Sequence, residues 1–128
     1  MSKWIKVVLW IFLILMVAVI LLPLGVSRGP KARPKAARAQ IFALGIALRS
    51  YQADNGSFPQ GANALLCLAQ RTPGATNWRG PYLNAPSVPK DPWGQAYIYQ
   101  CPGKHNPQSY DLSAVGPDGQ VYGNWAQK

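Results

Sequence analysis

Apolar residues run without a charged interruption from Val7 to Val26. Twenty helical residues rise about 30 Å, the thickness of a bilayer's hydrocarbon core, so the run predicts a membrane-spanning helix bounded by Val7 and Val26. Pro23, Gly25, Gly29, Pro30 and Pro34 then punctuate the chain. Each proline removes a helical donor or restricts its neighbour, so that helix is expected to stop there. A different pattern starts at Lys35. Ile41, Leu44, Leu48 and Tyr51 recur at spacings of three, four and three, the stripe of an amphipathic helix whose wet side carries Arg38, Arg49 and Gln52. Asn55-Gly56 ends it, because both residues tolerate the left-handed conformation of a helix terminus. Asp54, just before that end, reads as a local hydrogen-bonding residue.

Ala62 to Arg71 predicts a shorter helix with Leu65, Leu66, Leu68 and Ala69 available for packing. Thr72 to Pro92 has no sustained period and is rich in Pro, Gly, Asn and Ser, which predicts an ordered loop pinned to the core by Trp78, Tyr82 and Leu83. Beyond it, Tyr97 and Tyr99 alternate around Ile98 in a strand over Gln95 to Gln100, and Ser109 to Ala114 is a second strand. Two strands alone are marginal, so a third piece near Val121 to Trp125 and packing on the long helix are expected. The chain thus divides into an anchor (1–26), a Pro/Gly/basic linker (27–34) and a globular head (35–128), an α+β arrangement.

The formal charge of +9 suggests nucleic acid until it is resolved along the chain. Lys3 and Lys6 precede the apolar run, and Arg28, Lys31, Arg33, Lys35 and Arg38 follow it at once. From Ala39 on, six basic residues face four acidic ones, so the head is only mildly basic. A basic flank beside a membrane helix is attracted to anionic lipid headgroups, each residue contributing about 1 kcal/mol near the surface. Nucleic acid is therefore not the expected partner; DNA capture would require salt-sensitive binding by a fragment lacking residues 28–38.

Catalysis finds few groups to work with: one His, four Asp and no Glu. Cys67 or Cys101 with His105 as base lacks a third orienting group, and the three lack the close paired spacing of structural zinc ligands. No cofactor is expected. The two cysteines admit two readings, buried thiols or one disulfide; a bridge would close a loop worth roughly 3–4 kcal/mol of unfolded-state entropy.

Five separated motifs stand in a fixed order: Asp54-Asn55-Gly56-Ser57-Phe58-Pro59, Lys90-Asp91-Pro92-Trp93-Gly94, Pro102-Gly103-Lys104-His105, the run from Tyr110 to Gly119, and Gly123-Asn124-Trp125. In order and spacing they resemble the globular half of the major, G-type pseudopilins of bacterial type II secretion, over roughly residues 35 to 125. The resemblance implies a pilin-like head, an amphipathic helix packed on a small antiparallel sheet, on a single-pass anchor in the cytoplasmic membrane. It implies a structural subunit with other pseudopilin or secretion-system subunits as partners and homo-oligomer formation within a pilus-like assembly. A tethered, non-polymerising interaction module and a competence-type pilin are the alternatives.

Topology draws opposing arguments. The downstream flank outnumbers the upstream one by five to two, which by the positive-inside tendency puts the head in the cytoplasm. The resemblance and the two cysteines favour the periplasm, and five matching motifs carry more weight. The family also binds calcium in its C-terminal loop. Here Asp118-Gly119 and Gly123-Asn124-Trp125 match that loop, but only Gln120, Val121 and Tyr122 lie between them, so Asp118 is expected to bind calcium weakly or not at all. At the start the chain reads Met1-Ser2-Lys3-Trp4-Ile5-Lys6-Val7-Val8, with no Gly before the apolar run and no acidic residue before Asp54. The family's processing site and its early Glu, which pairs with a neighbour's amino terminus, therefore have no counterpart, and cleavage is not expected.

Overall fold

The computed structural model describes residues 2–21 and 31–125. Helix α1, Lys3–Leu21, follows from the apolar run, and its side chains from Trp4 to Val17, apart from Lys6, are exposed hydrophobics. Among the described residues no helix is long and apolar enough to cross a membrane; residues 22–26 of the expected span lie outside them.

Helix α2 spans Ala32–Asn55, beginning three residues before Lys35. Pro34 falls in its first turn, where the missing N–H would have had no helical partner. The linker expected over 27–34 therefore gives its last residues to the helix. Gly56 closes α2 with φ of 85°, its N–H donating to the Gln52 carbonyl at 2.7 Å. The expected stripe is buried: Ile41, Leu44, Leu48 and Tyr51 face inward, joined by Ala37 and Ala47.

The predicted helix over 62–71 is instead a single 3₁₀ segment, Ala64–Leu68. Its last carbonyls are claimed by the loop. Trp78 Nε1 donates to the Cys67 carbonyl at 2.7 Å, and the Tyr82 N–H to that of Leu68 at 2.8 Å, taking positions that a continuing α-helix would use.

Three strands, β1 (Ile98–Gln100), β2 (Asp111–Val115) and β3 (Val121–Gly123), form an antiparallel meander in that order. Ile98 stands opposite Ser113, and Ala114 opposite Tyr122. Leu112 and Ala114 of the central strand meet Leu44 and Leu48 of α2 and Leu68 of the 3₁₀ segment in one core. Trp78, Tyr82 and Leu83 pack on its margin, as the loop reading requires.

Candidate functional site

Side chains converge at three places in the head, and each serves shape more readily than catalysis. The first is the aspartate turn at Asp91. Asp91 is buried; its Oδ1 accepts the N–H groups of Trp93 at 2.9 Å and Gln95 at 2.8 Å, while Gly94 takes φ of 84°. Pro and Gly fix the turn, and Trp93 lies stacked on Tyr122, ring centroids 5.4 Å apart. Asp91 Oδ2 is buried and has no hydrogen-bond partner among the described residues. Burial, and after it the Asp91 charge, pushes the nearby Tyr97 phenol up to about 12, and that hydroxyl donates to Gln40 Oε1 of α2. Asp54 serves a distant partner. Its Oδ2 accepts the Tyr82 hydroxyl at 2.8 Å, fastening the long loop to the end of α2.

The second place is the C-terminal closure. Asn124 makes three hydrogen bonds around β2: its Oδ1 accepts the Leu112 N–H at 2.8 Å, its Nδ2 donates to the Tyr110 carbonyl at 3.0 Å, and its own N–H donates to the Leu112 carbonyl at 3.0 Å. Trp125 lies flat on His105, centroids 4.0 Å apart and planes within 2°. His105 is held in turn by Asp111, whose Oδ2 meets the His105 N–H at 2.8 Å and Nδ1 at 3.0 Å. Asp111 Oδ1 accepts the Asn106 N–H at 3.0 Å and Nδ2 at 3.1 Å. Burial favours the neutral acid at Asp111, but these donors outweigh it and hold the carboxyl below its ordinary value.

Calcium does not fit this closure. Asp118 stands on an exposed turn with Oδ1 accepting the Gln120 N–H at 3.1 Å, and Gly119 at φ of 80° completes that turn. Both oxygens of Asp111 are already occupied by four donors, which fill the acceptor positions of a carboxylate. Among the described residues no three His, Cys, Asp or Glu side chains come together as a metal site. Calcium needs six to eight oxygens, usually several of them carboxylate.

Asp111 supplies His105 with the orienting partner that the sequence did not reveal, but the thiols meet other groups and not the imidazole. Both thiols are free: Cys67 Sγ lies 3.0 Å from Thr72 Oγ1, and Cys101 Sγ faces the Ser109 carbonyl at 3.6 Å.

The third place is a groove of about 440 Å³ between α2 and the C-terminal segment, lined by Ile41, Phe42, Gly45, Ile46, Tyr110 and Trp125 among others, with Arg38 and Arg49 at its edges. Phe42 and Ile46 are exposed, and periodicity alone did not single them out. Their signal was present, as apolar residues off the stripe. Of the basic flank, Lys31, Arg33, Lys35 and Arg38 are exposed at the start of α2, with the Arg38 guanidinium 5.6 Å from the Tyr122 ring centre. Arg38 therefore ties α2 to β3 as well as presenting charge. Of the expected anchor bounds, Val7 is exposed on α1, whereas Val26, like Arg28 of the flank, lies outside the described residues.

Comparison with known proteins agrees with this architecture. The family described as type II secretion system (T2SS), protein G matches residues 26–128. The chain is 32% identical over 124 residues to the type II secretion system core protein G of Pseudomonas aeruginosa, covering 94% of this chain and 84% of that protein. It is 32% identical over 120 residues to the protein of the same name from Escherichia coli K12, covering 91% of this chain and 80% of that one. The crystal structure of the major pseudopilin from the type 2 secretion system of enterohaemorrhagic Escherichia coli superposes with a TM-score of 0.62 at 27% identity, covering 80% of this chain and 95% of that chain. With a long helix laid on a three-stranded antiparallel sheet and matches of this extent, the chain belongs to the type II secretion system protein G family, the major pseudopilins, whose role is structural and not enzymatic.

Proposed function

We propose that the protein is a single-pass, membrane-anchored pseudopilin that contributes its head to a type II secretion assembly and has other subunits of that system, and further copies of itself, as partners. One observation carries the reading. The exposed apolar surface of α1 is joined by sequence to a head whose core, among the described residues, is drawn from α2 onward. So large an apolar surface on a helix is stable in lipid or against neighbouring apolar helices, and a filament subunit must exchange the first for the second. α1 carries no acidic side chain, so packing in this assembly rests on apolar contact within that helix. The head lies on the periplasmic side of the cytoplasmic membrane, with Lys31, Arg33 and Lys35 at the headgroups.

Photo-cross-linking in cells tests the assembly. A photoreactive residue at Leu13 should give a ladder of self-adducts. Adducts only through position 42 or 46, to other proteins, would instead support a tethered module that does not polymerise, the reading that the exposed Phe42 and Ile46 favour. Topology is read by labelling a Gln60→Cys variant, with Cys67 and Cys101 replaced by alanine, using an impermeant maleimide; labelling in intact spheroplasts places the head outside. Intact mass after alkylation counts the thiols, two for the free pair and none for a bridge.

A further inference from the structure

Contacts within the head fasten the C-terminal Gly123-Asn124-Trp125 segment. Asn124 bonds to Leu112 and Tyr110 on both sides of the β2 start, and Trp125 covers His105, which Asp111 holds by backbone and ring together. Two glycines make room for the arrangement. A Cβ on Gly103 would stand 2.4 Å from Asp111 Oδ1 and 2.8 Å from the Asp111 backbone nitrogen, and one on Gly123 would stand 2.5 Å from the Trp125 ring. The segment between Asp118 and Gly123 is too short to loop outward, and it pairs as β3 instead.

We infer that this head closes its C-terminal segment without a metal: a side-chain clamp of Asp111, His105 and Trp125, with Asn124 as the bracket, occupies the structural role for which calcium would otherwise be the candidate. The argument is one of donors and acceptors. A calcium ion placed at Asp111 would have to displace four hydrogen bonds from a buried carboxylate, and Asp118 offers one exposed carboxylate that belongs to no group of three His, Cys, Asp or Glu side chains among the described residues. A clamp of aromatic and amide groups needs no ion from the medium. The consequence is a head whose folding, and any assembly that depends on it, is indifferent to calcium.

The test uses the full chain in detergent micelles. Its melting temperature should be the same, within about 1 °C, in excess EDTA and in excess calcium. A folded-state site filled about a hundredfold above its Kd would raise melting by roughly 10 °C or more, and a shift of that kind overturns the inference. Hydrogen exchange of the unmodified protein gives the second reading. The amides of His105, Asn106, Leu112 and Asn124 should keep equal protection in both buffers, and loss of protection in EDTA overturns it. For the clamp itself, His105→Ala and Trp125→Ala should each lower melting by about 3–6 °C, and the double variant by little more than either alone. Losses that simply add would refute the stack as a unit. These readings concern the head alone, so they stand or fall separately from the cross-linking that tests assembly.

Discussion

Asp91 and Asp111 show how one residue type serves two ends in a chain with so few acids. At Asp91 the useful atom is Oδ1, which accepts two backbone N–H groups, while Oδ2 is buried without a partner among the described residues. Asp91→Asn keeps an acceptor for the turn and removes a poorly compensated charge, so urea unfolding should find it neutral or slightly stabilised. Asp91→Ala leaves two part-buried backbone donors without this acceptor and should cost about 1–3 kcal/mol. Asp111 is the opposite case, a carboxylate favoured by its donors over the neutral acid. Its native pKa lies below the ordinary 3.8, so its contribution is full above that value and disappears as pH falls through the lower native one. Unfolding midpoints followed from neutral pH downward should therefore fall more steeply on the acid side for the native protein than for Asp111→Asn, although the variant starts less stable. Equal slopes would mean that the hydrogen bonds do not discriminate between the two forms. The sequence made the turn at Asp91 legible through Pro92 and Gly94. It could not reveal that Asp54 reaches Tyr82, because that bond depends on where a long loop without period comes to rest.

At the level of elements, legibility followed periodicity. The stripe on α2 was readable because Ile41, Leu44 and Leu48 repeat at helical spacing over several turns, and all three are buried. The strands could be placed but not measured. β1 begins at Ile98 and not at Gln95, since Gln95 spends its N–H and carbonyl on the Asp91 turn. The 3₁₀ segment escaped because its shortness is decided by Trp78 and Tyr82, which lie beyond any local window. Two faces of the same helix then give a contrast. Leu48 is fully buried, and Leu48→Ala should cost about 2–5 kcal/mol in chemical denaturation. Phe42 is 72% exposed, and Phe42→Ala should lie within about 0.5 kcal/mol of the native protein. If Phe42→Ala nevertheless reduces assembly in cells, its face of α2 works between molecules and not within one.

For the whole molecule, the question is whether the head depends on the helix that precedes it. The buried hydrophobic core begins at Ala37, and its largest fully buried side chains, Leu44, Leu48, Leu68 and Leu112, belong to α2, the 3₁₀ segment and β2. Among the described residues, that core takes no side chain from α1. A head of under a hundred residues has a net stability of roughly 5–10 kcal/mol, small enough that a missing structural element would be plain in a melt. A fragment of residues 31–128 should therefore be soluble without detergent and unfold in one cooperative transition, with coincident circular dichroism and tryptophan fluorescence curves. The full chain should require detergent to remain dispersed, because the exposed side chains of α1 have no partner in water. A fragment with helical circular dichroism but no cooperative transition would show that the head needs its anchor for folding as well as for position. Cooperative melting of the fragment, with membrane retention confined to the full chain, would separate the two roles along the chain: association in the first helix, shape in the rest.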